Sequence, residues 1–371
     1  MKRLAVVLTH PIQYYVPVFQ RLGWSSDTIL KVFYTGDRSV SRYDAGFKKN
    51  VEWDLPLLEG YDYQFVNEKE IIQTIRSFNP HAILIYGWSP AGHLRTMRFF
   101  NGNIPVWFRG DSTLLDPLPW YKKISRYVLL NWIYKRVDKA FYVGSANKEY
   151  FIEYGLKEQQ LIFAPHAIDN QRFSQDRSAE ATALRDKLKI MNKDILILFA
   201  GKLESKKAPL ALLRAFKELD RANVHLLFTG SGELERDLKA EADDHPRIHF
   251  SDFVNQSFMP VYYQACDLFC LPSVGPGETW GLAVNEAMAS GKAVLVSNRV
   301  GCAKDLVKNH YNGLIFDPEN PDDLKNALSE LLSDSQKLIH MGKSSGEQIC
   351  AYTFDHQVKA IEQQLRLIAD A

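Results

Sequence analysis

Two α/β domains, each built on a doubly wound parallel sheet, are what this sequence predicts. Three observations carry that prediction. The chain has 371 residues, which at ~100–200 residues per domain makes about two domains. Short apolar runs alternate along it with longer helical patterns, as strand–helix–strand crossovers require. The alternation fades near residue 168 and restarts after residue 190.

In the first series, RLAVVLTH (3–10), ILKVFYTG (29–36), AILIYGW (82–88), PVWFRGD (105–111), KAFYVGS (139–145) and LIFAPH (161–166) each read as a buried strand ending in a turn. Helical patterns cover 118–137 and 146–155. The second series is DILILFAG (194–201), VHLLFTG (224–230), RIHFSDF (247–253), DLFCLPS (267–273), AVLVSN (293–298) and GLIFDP (313–318). Its helices fall near 208–219, 232–241, 258–265, 281–290 and 321–334. The polar stretch 165–188 marks the join, giving domains 1–168 and 169–349. One last pattern, 345–369, predicts a terminal helix of about 350–371 that can pack on either domain, back on the first included.

Composition narrows the function classes. The hydrophobic content of 46% is enough for a large core, and a net charge of +1 argues against binding nucleic acid by neutralising phosphates. The charge is unevenly spread: residues 1–168 carry 21 Lys and Arg against 15 Asp and Glu, and residues 169–371 carry 24 against 29. The four cysteines, Cys266, Cys270, Cys302 and Cys350, lack metal-site spacing and read as reduced, mostly buried side chains. The apolar run Leu4 to Leu8 is too short for a signal peptide, and no run of 18 apolar residues exists. The expected location is the cytoplasm, at most on a membrane surface.

In doubly wound sheets a ligand sits outside the carboxyl ends of the strands, here between two facing domains. That rule selects Thr9-His10-Pro11, Gly87-Trp88-Ser89, Arg109-Gly110-Asp111, Gly201-Lys202, Gly230-Ser231-Gly232 and the stretch GPGETWGLAVNEAMASG (275–291). Gly201 and Lys202 end a strand, and Lys206 and Lys207 precede a helix, so ammonium groups and helix amides together suit a diphosphate. A solvated lysine cluster is the plain alternative. FTGSGELER (228–236) is a second glycine turn, although Glu235 replaces the third glycine of the dinucleotide fingerprint. In 275–291, Gly275 and Gly277 allow unusual backbone angles and Gly281 frees the start of a helix. Amides from Thr279 through Trp280 and Gly281 to Leu282 would point at an anion. Glu278, and Glu286 one turn into the helix, offer acceptor-only carboxylates to sugar hydroxyls.

At these residues a resemblance emerges. PSVGPGETWGLAVNEAMASGKAVLVSN, with its E-x(7)-E across Glu278 and Glu286, resembles the donor-site signature of retaining glycosyltransferases of family four, which have the GT-B fold. GKLESKK is similar to the family's G-R-L-x-x-x-K, matching Lys202 and Lys207 to its two cations. GSGE, HAIDNQRF and NGLIFDPENPDDL resemble further family segments, so the likeness spans 165–335. It implies two Rossmann-like domains facing across a cleft, with a nucleotide-diphosphate sugar on the second. Lys202 and Lys207 would neutralise the diphosphate, Glu286 would bind the ribose, Glu278 the donor hexose, and main chain near Phe253 and Val254 the base. Gly201, Gly230 and Gly232 belong to the same donor loops. No metal and no cofactor is implied, since lysines and amides carry the charge compensation. UDP-sugar is favoured, GDP-sugar next.

The first domain departs from the family pattern. THPIQYYVP replaces a glycine-rich turn, and Gly110 in WFRGDS stands where a histidine is usual. Arg109 and Asp111 either touch substrate in its place or form a structural ion pair. His10, Gln13, Tyr14 and Trp88 are candidate acceptor contacts, with ordinary packing as the alternative for the aromatics. The first half also resembles a subset of these enzymes from bacterial surface-polysaccharide gene sets. That implies a glycan or lipid-linked acceptor. WYKKISRYVLLNWIYKRVDK (120–139), with six Lys and Arg, suits either an anionic bilayer surface or an amphipathic helix whose Val128, Leu129, Leu130 and Ile133 are core. The rival functions are a nucleotide-sugar epimerase of the same fold and a non-catalytic sugar-nucleotide binding or scaffold protein. A glycosidase ranks well below the transferase, because it needs a paired acid across the scissile bond.

Overall fold

The computed structural model describes residues 1–36, 42–44, 46 and 49–369. The chain divides into two compact units. The first comprises Met1–Val40, Leu55–His166 and Thr353–Ala371, and the second Ser41–Asp54 and Ala167–Tyr352. Residues 41–54, assigned from sequence to the first domain, thus group with the second unit.

The first unit holds a seven-stranded sheet. Its strands are β1 (Lys2–Leu8), β2 (Thr28–Tyr34), β5 (Tyr63–Phe65), β6 (Ala82–Tyr86), β7 (Val106–Arg109), β8 (Lys139–Tyr142) and β9 (Leu161–Phe163). The spatial order is β5-β2-β1-β6-β7-β8-β9 with every pairing parallel. The second unit holds β10 (Ile195–Ala200), β11 (Val224–Thr229), β12 (Ile248–Ser251), β13 (Leu268–Leu271), β14 (Ala293–Ser297) and β15 (Gly313–Phe316), in the order β12-β11-β10-β13-β14-β15, again all parallel. Between β2 and β5 in sequence, β3 (Arg42–Asp44) and β4 (Lys49–Val51) form an antiparallel pair.

The central strands are mostly apolar because helices cover both faces of a parallel sheet. All residues of β6, β10 and β11 are buried. In the second unit Phe199, Phe228, Leu226 and Leu295 join Leu212, Leu213 and Leu328 in one cluster. All twelve strands expected from sequence are present, shorter at their carboxyl ends because the following turn residues leave the ladder. The pair β3–β4 and the edge strand β5 were not expected.

The terminal pattern is two helices rather than one, Ser335–Ile349 and Phe354–Arg366. Thr353 starts the second: its hydroxyl accepts the His356 N–H at 3.2 Å, an N-cap that resets the helix. The first is likewise capped by Asp334, which accepts the Gln336 N–H at 2.8 Å.

In the first unit helix Trp120–Tyr134 buries Leu130, Ile133 and Tyr134. Val128 and Leu129, expected in the core alongside them, are exposed. So are Trp120 (74%), Tyr121, Ile124, Tyr127 and Trp132, the last with the Arg98 and Arg136 guanidinium groups over its ring. Among the described residues no helix is long and apolar enough to cross a membrane.

Candidate functional site

In the second sheet the winding reverses between β10 and β13, which lie side by side while their crossovers run to opposite edges. The turns after these two strands therefore diverge and leave a crevice at the carboxyl end. Both are turns singled out by their chemistry. Val274 N–H donates to the Lys206 carbonyl at 2.8 Å, so the two loops are joined by main chain.

The turns after β10 and β11 pack backbone on backbone. Gly230, at φ +131°, lies so close to Gly201 that a Cβ there would be 2.0 Å from the Gly201 carbonyl oxygen. A Cβ on Gly232 would be 2.4 Å from the Leu203 carbonyl. Leu203 N–H donates to Ser231 O at 3.0 Å, and Leu234 N–H to Leu203 O at 2.9 Å. Glycine at 230 and 232 is thus a packing requirement that holds the Gly201-Lys202 turn in place.

The two loops bring Lys207 and Glu278 together. Lys207 Nζ lies 2.5 Å from Glu278 Oε2, with both side chains largely buried, and the Ser273 hydroxyl donates to the same oxygen at 3.0 Å. The sequence reading gave these residues separate duties, and the structure adds that they form one charge-assisted pair. Lys202, half-buried, runs beneath Gly46 of the 41–54 segment. Phe253 and Val254 follow β12 and are half-buried. A hollow of about 140 Å³ lies beside this row of strand ends, lined in part by Leu203, Gly230, Phe250, Ser251 and Asp252.

Gly281, at φ +93°, opens helix Leu282–Ala289. Glu286 sits in its second turn, 4% exposed, where it accepts the Tyr263 hydroxyl at 2.8 Å and the Gln256 amide at 3.3 Å. These donors orient its carboxylate, a group that can only accept hydrogen bonds when ionised. Trp280 is buried, with its indole N–H donated to Asn285 at 2.9 Å, so a ligand meets this residue only through its main chain. Thr279 and Leu282 are half-buried at the start of the same helix.

In the first unit the candidates gather at the carboxyl end of the sheet. His10 Nδ1 and the Thr9 hydroxyl are 2.8 Å apart, Gln13 is buried, and Tyr14 and Trp88 are half-buried. Arg109 is buried and donates to the carbonyls of Ala164 at 2.8 Å and Pro165 at 3.5 Å, which makes it a clamp on the chain beyond β9. Asp111 is half-exposed and lies 3.7 Å from His166 Nε2. His166 was missed from sequence, although HAIDNQRF begins with it. It is buried, stacked on Tyr15 at 6.1 Å, and its pKa is pushed below the usual histidine value by burial, with Asp111 pulling the other way. Asn147 supports this loop by donating to Ser112 O at 2.8 Å.

Comparison with known proteins places the loaded half of the chain. Residues 180–348 match the family described as Glycosyl transferases group 1. In this stretch the chain is similar to group 1 glycosyl transferases. An uncharacterized glycosyltransferase of Methanocaldococcus jannaschii is 33% identical over 159 residues, 42% of this chain and 40% of the relative. The N,N'-diacetylbacillosaminyl-diphospho-undecaprenol alpha-1,3-N-acetylgalactosaminyltransferase of Campylobacter jejuni is 27% identical over 226 residues, 59% of this chain and 57% of the relative. The chain thus spans about half the length of the curated relatives it matches. In fold it resembles Anabaena HepE, solved in complex with UDP and glucose, at a TM-score of 0.75 and 16% identity over 99% of this chain and 100% of that one. The fold class is GT-B, with two Rossmann-like domains.

Proposed function

We propose that the protein is a retaining, metal-independent glycosyltransferase. It moves a hexose-type sugar from a nucleotide-diphosphate sugar, UDP-sugar before GDP-sugar, to a glycan or lipid-linked acceptor in bacterial surface-polysaccharide synthesis. The observation that carries this reading is the Lys207–Glu278 pair at the switch point of the stretch similar to group 1 glycosyl transferases. The named relative from Campylobacter, whose acceptor is a lipid diphosphate, and the UDP complexes of HepE support the donor and acceptor classes.

Lys202 and Lys207 neutralise the diphosphate as it departs with growing charge, which is where electrostatic stabilisation acts most strongly. Glu278 accepts hydroxyls of the donor hexose while Lys207 holds its carboxylate in place. Glu286, oriented by Tyr263 and Gln256, accepts the ribose hydroxyls. The acceptor oxygen attacks the anomeric carbon on the face the diphosphate leaves, and a diphosphate oxygen takes the acceptor proton, so the configuration is kept. The first-unit residues His10, Gln13, Tyr14, Trp88, Arg109 and Asp111 are the acceptor-side candidates. Lysines and helix amides do the work of a divalent cation.

The test is a thermal-shift and calorimetry screen with UDP, GDP and their sugar conjugates. A nucleotide at ~100 times its dissociation constant adds about 2.7 kcal/mol of stability. One nucleotide stabilising, with turnover unchanged in EDTA, is the expected result. Loss of activity in EDTA sinks the metal-free site, and no stabilisation by any nucleotide moves the scaffold reading to the front. Turnover of the sugar nucleotide to an epimer without an acceptor would favour the epimerase.

We also place helix Trp120–Tyr134 on the cytoplasmic face of a membrane. Its exposed Trp120, Ile124, Tyr127 and Val128 are flanked by Lys122, Lys123 and Arg126, the make-up of an interfacial helix at an anionic bilayer. The protein should float with phosphatidylglycerol vesicles and not with phosphatidylcholine ones, and Trp120→Ser/Ile124→Ser/Val128→Ser should abolish flotation. Equal behaviour of wild type and variant removes the helix from that role.

A further inference from the structure

Residues 41–54 stand in the first half of the sequence yet group with the second unit. The contacts that hold them there fall on the donor loops. Asn255 Nδ2 donates to the Glu52 carbonyl at 2.7 Å, and the Ser257 N–H donates to Asp54 Oδ2 at 3.1 Å, with the Ser257 hydroxyl donating to the same carboxylate. Between these two anchors Trp53 lies against Phe253, ring centres 5.9 Å apart and planes inclined at 65°. At the other end of the segment, a Cβ added to Gly46 would be 2.4 Å from Lys202 Cδ and 2.8 Å from its Nζ. One short segment therefore touches Phe253, at the base end of the donor site, and Lys202, at its diphosphate end.

We propose that Trp53 forms a wall of the nucleobase subsite, stacking on the base of the nucleoside diphosphate beside the Phe253-Val254 turn. The inference rests on the donor-site reading above and adds to it a contact from outside the 180–348 domain. Glu52 and Asp54 are tied to Asn255 and Ser257 by polar bonds, so the indole between them is positioned by its neighbours and remains half-buried, with ring surface left over. An aromatic face accepts any base by stacking, while the adjoining main chain reads the base edge. Gly46, by having no side chain, lets the same segment lie directly over the Lys202 ammonium.

The experiment is calorimetric binding of whichever nucleoside diphosphate, UDP or GDP, binds the wild-type chain, repeated with Trp53→Ala and Trp53→Phe. Inorganic pyrophosphate, as a competitor, is the base-free control. Trp53→Ala should weaken nucleotide binding by about 10- to 100-fold, and Trp53→Phe by no more than about threefold, because the stacking face is kept. Pyrophosphate affinity should stay within about twofold in both, since its contacts are with lysines and amides. Equal or tighter nucleotide binding by Trp53→Ala overturns the proposal, the latter meaning that the indole occupies the base's place. So does an equal loss in Trp53→Phe, or an equal loss for pyrophosphate, which would mean general damage to the site. If the wild-type chain binds neither nucleotide, the donor-site reading itself fails, an outcome distinct from all of these.

Discussion

Lys207→Ala is expected to lower turnover by about 10²–10³-fold, the usual cost of removing one preorganised group that faces developing charge. Donor affinity should fall less, because Lys207 acts chiefly on the departing diphosphate and Lys202 remains for the ground state. The structure adds a second consequence. Glu278 shares a largely buried site with Lys207, and stripping one partner from a buried pair costs about 3–5 kcal/mol by leaving the other charge uncompensated. The Lys207→Ala protein should therefore melt lower as well. The double variant Lys207→Ala/Glu278→Ala separates the two effects: stability should return towards wild type while turnover stays low. Recovery of neither means that the pair is not the source of the instability, and unchanged kcat in Lys207→Ala removes it from the chemistry.

That pair also marks how far a sequence can be read. Lys207 and Glu278 were each picked out by their turns, and the order of strands puts the turns after β10 and β13 side by side. Their direct bond spans 71 positions and follows from side-chain geometry, which no pattern of residues states. The strands themselves were legible because a buried parallel strand is an unbroken apolar run bounded by a turn. β5 was not, since three residues of YQF at a sheet edge carry no such run. The same limit hid His166, whose link to Asp111 joins the ends of different strands, and the grouping of 41–54 with the second unit.

Helix Trp120–Tyr134 shows a different limit. Its sequence fits either a bilayer-surface helix or an amphipathic one with Val128, Leu129, Leu130 and Ile133 all in the core. Only the packing tells that Leu130 and Ile133 face the sheet while Val128 and Leu129 face outward. Arg109 shows what residue type leaves open: a strand-end arginine suits a ligand or a structural contact, and here its guanidinium donates to the carbonyls of Ala164 and Pro165.

Gly230→Ala should be among the most damaging single-methyl changes this chain can suffer. At φ +131° an L-residue is strained, and the new Cβ would stand 2.0 Å from the Gly201 carbonyl oxygen, a main-chain atom that cannot rotate away. Either the β11 turn or the β10 turn must move, and the β10 turn carries Lys202. Gly277→Ala is the matched control: it also has a positive φ, +88°, but its Cβ would meet nothing within 4 Å, so only the torsional cost of about 1–2 kcal/mol applies. Urea unfolding should find more than about 4 kcal/mol lost in Gly230→Ala. The loss should come with nucleotide binding weakened beyond detection even where the protein is folded, because Gly201 and Lys202 are displaced together. Similar losses in the two variants would mean that torsion alone matters and that the glycine turns are not stacked as described. Large instability with normal nucleotide affinity would detach the stacking from the site it is argued to position.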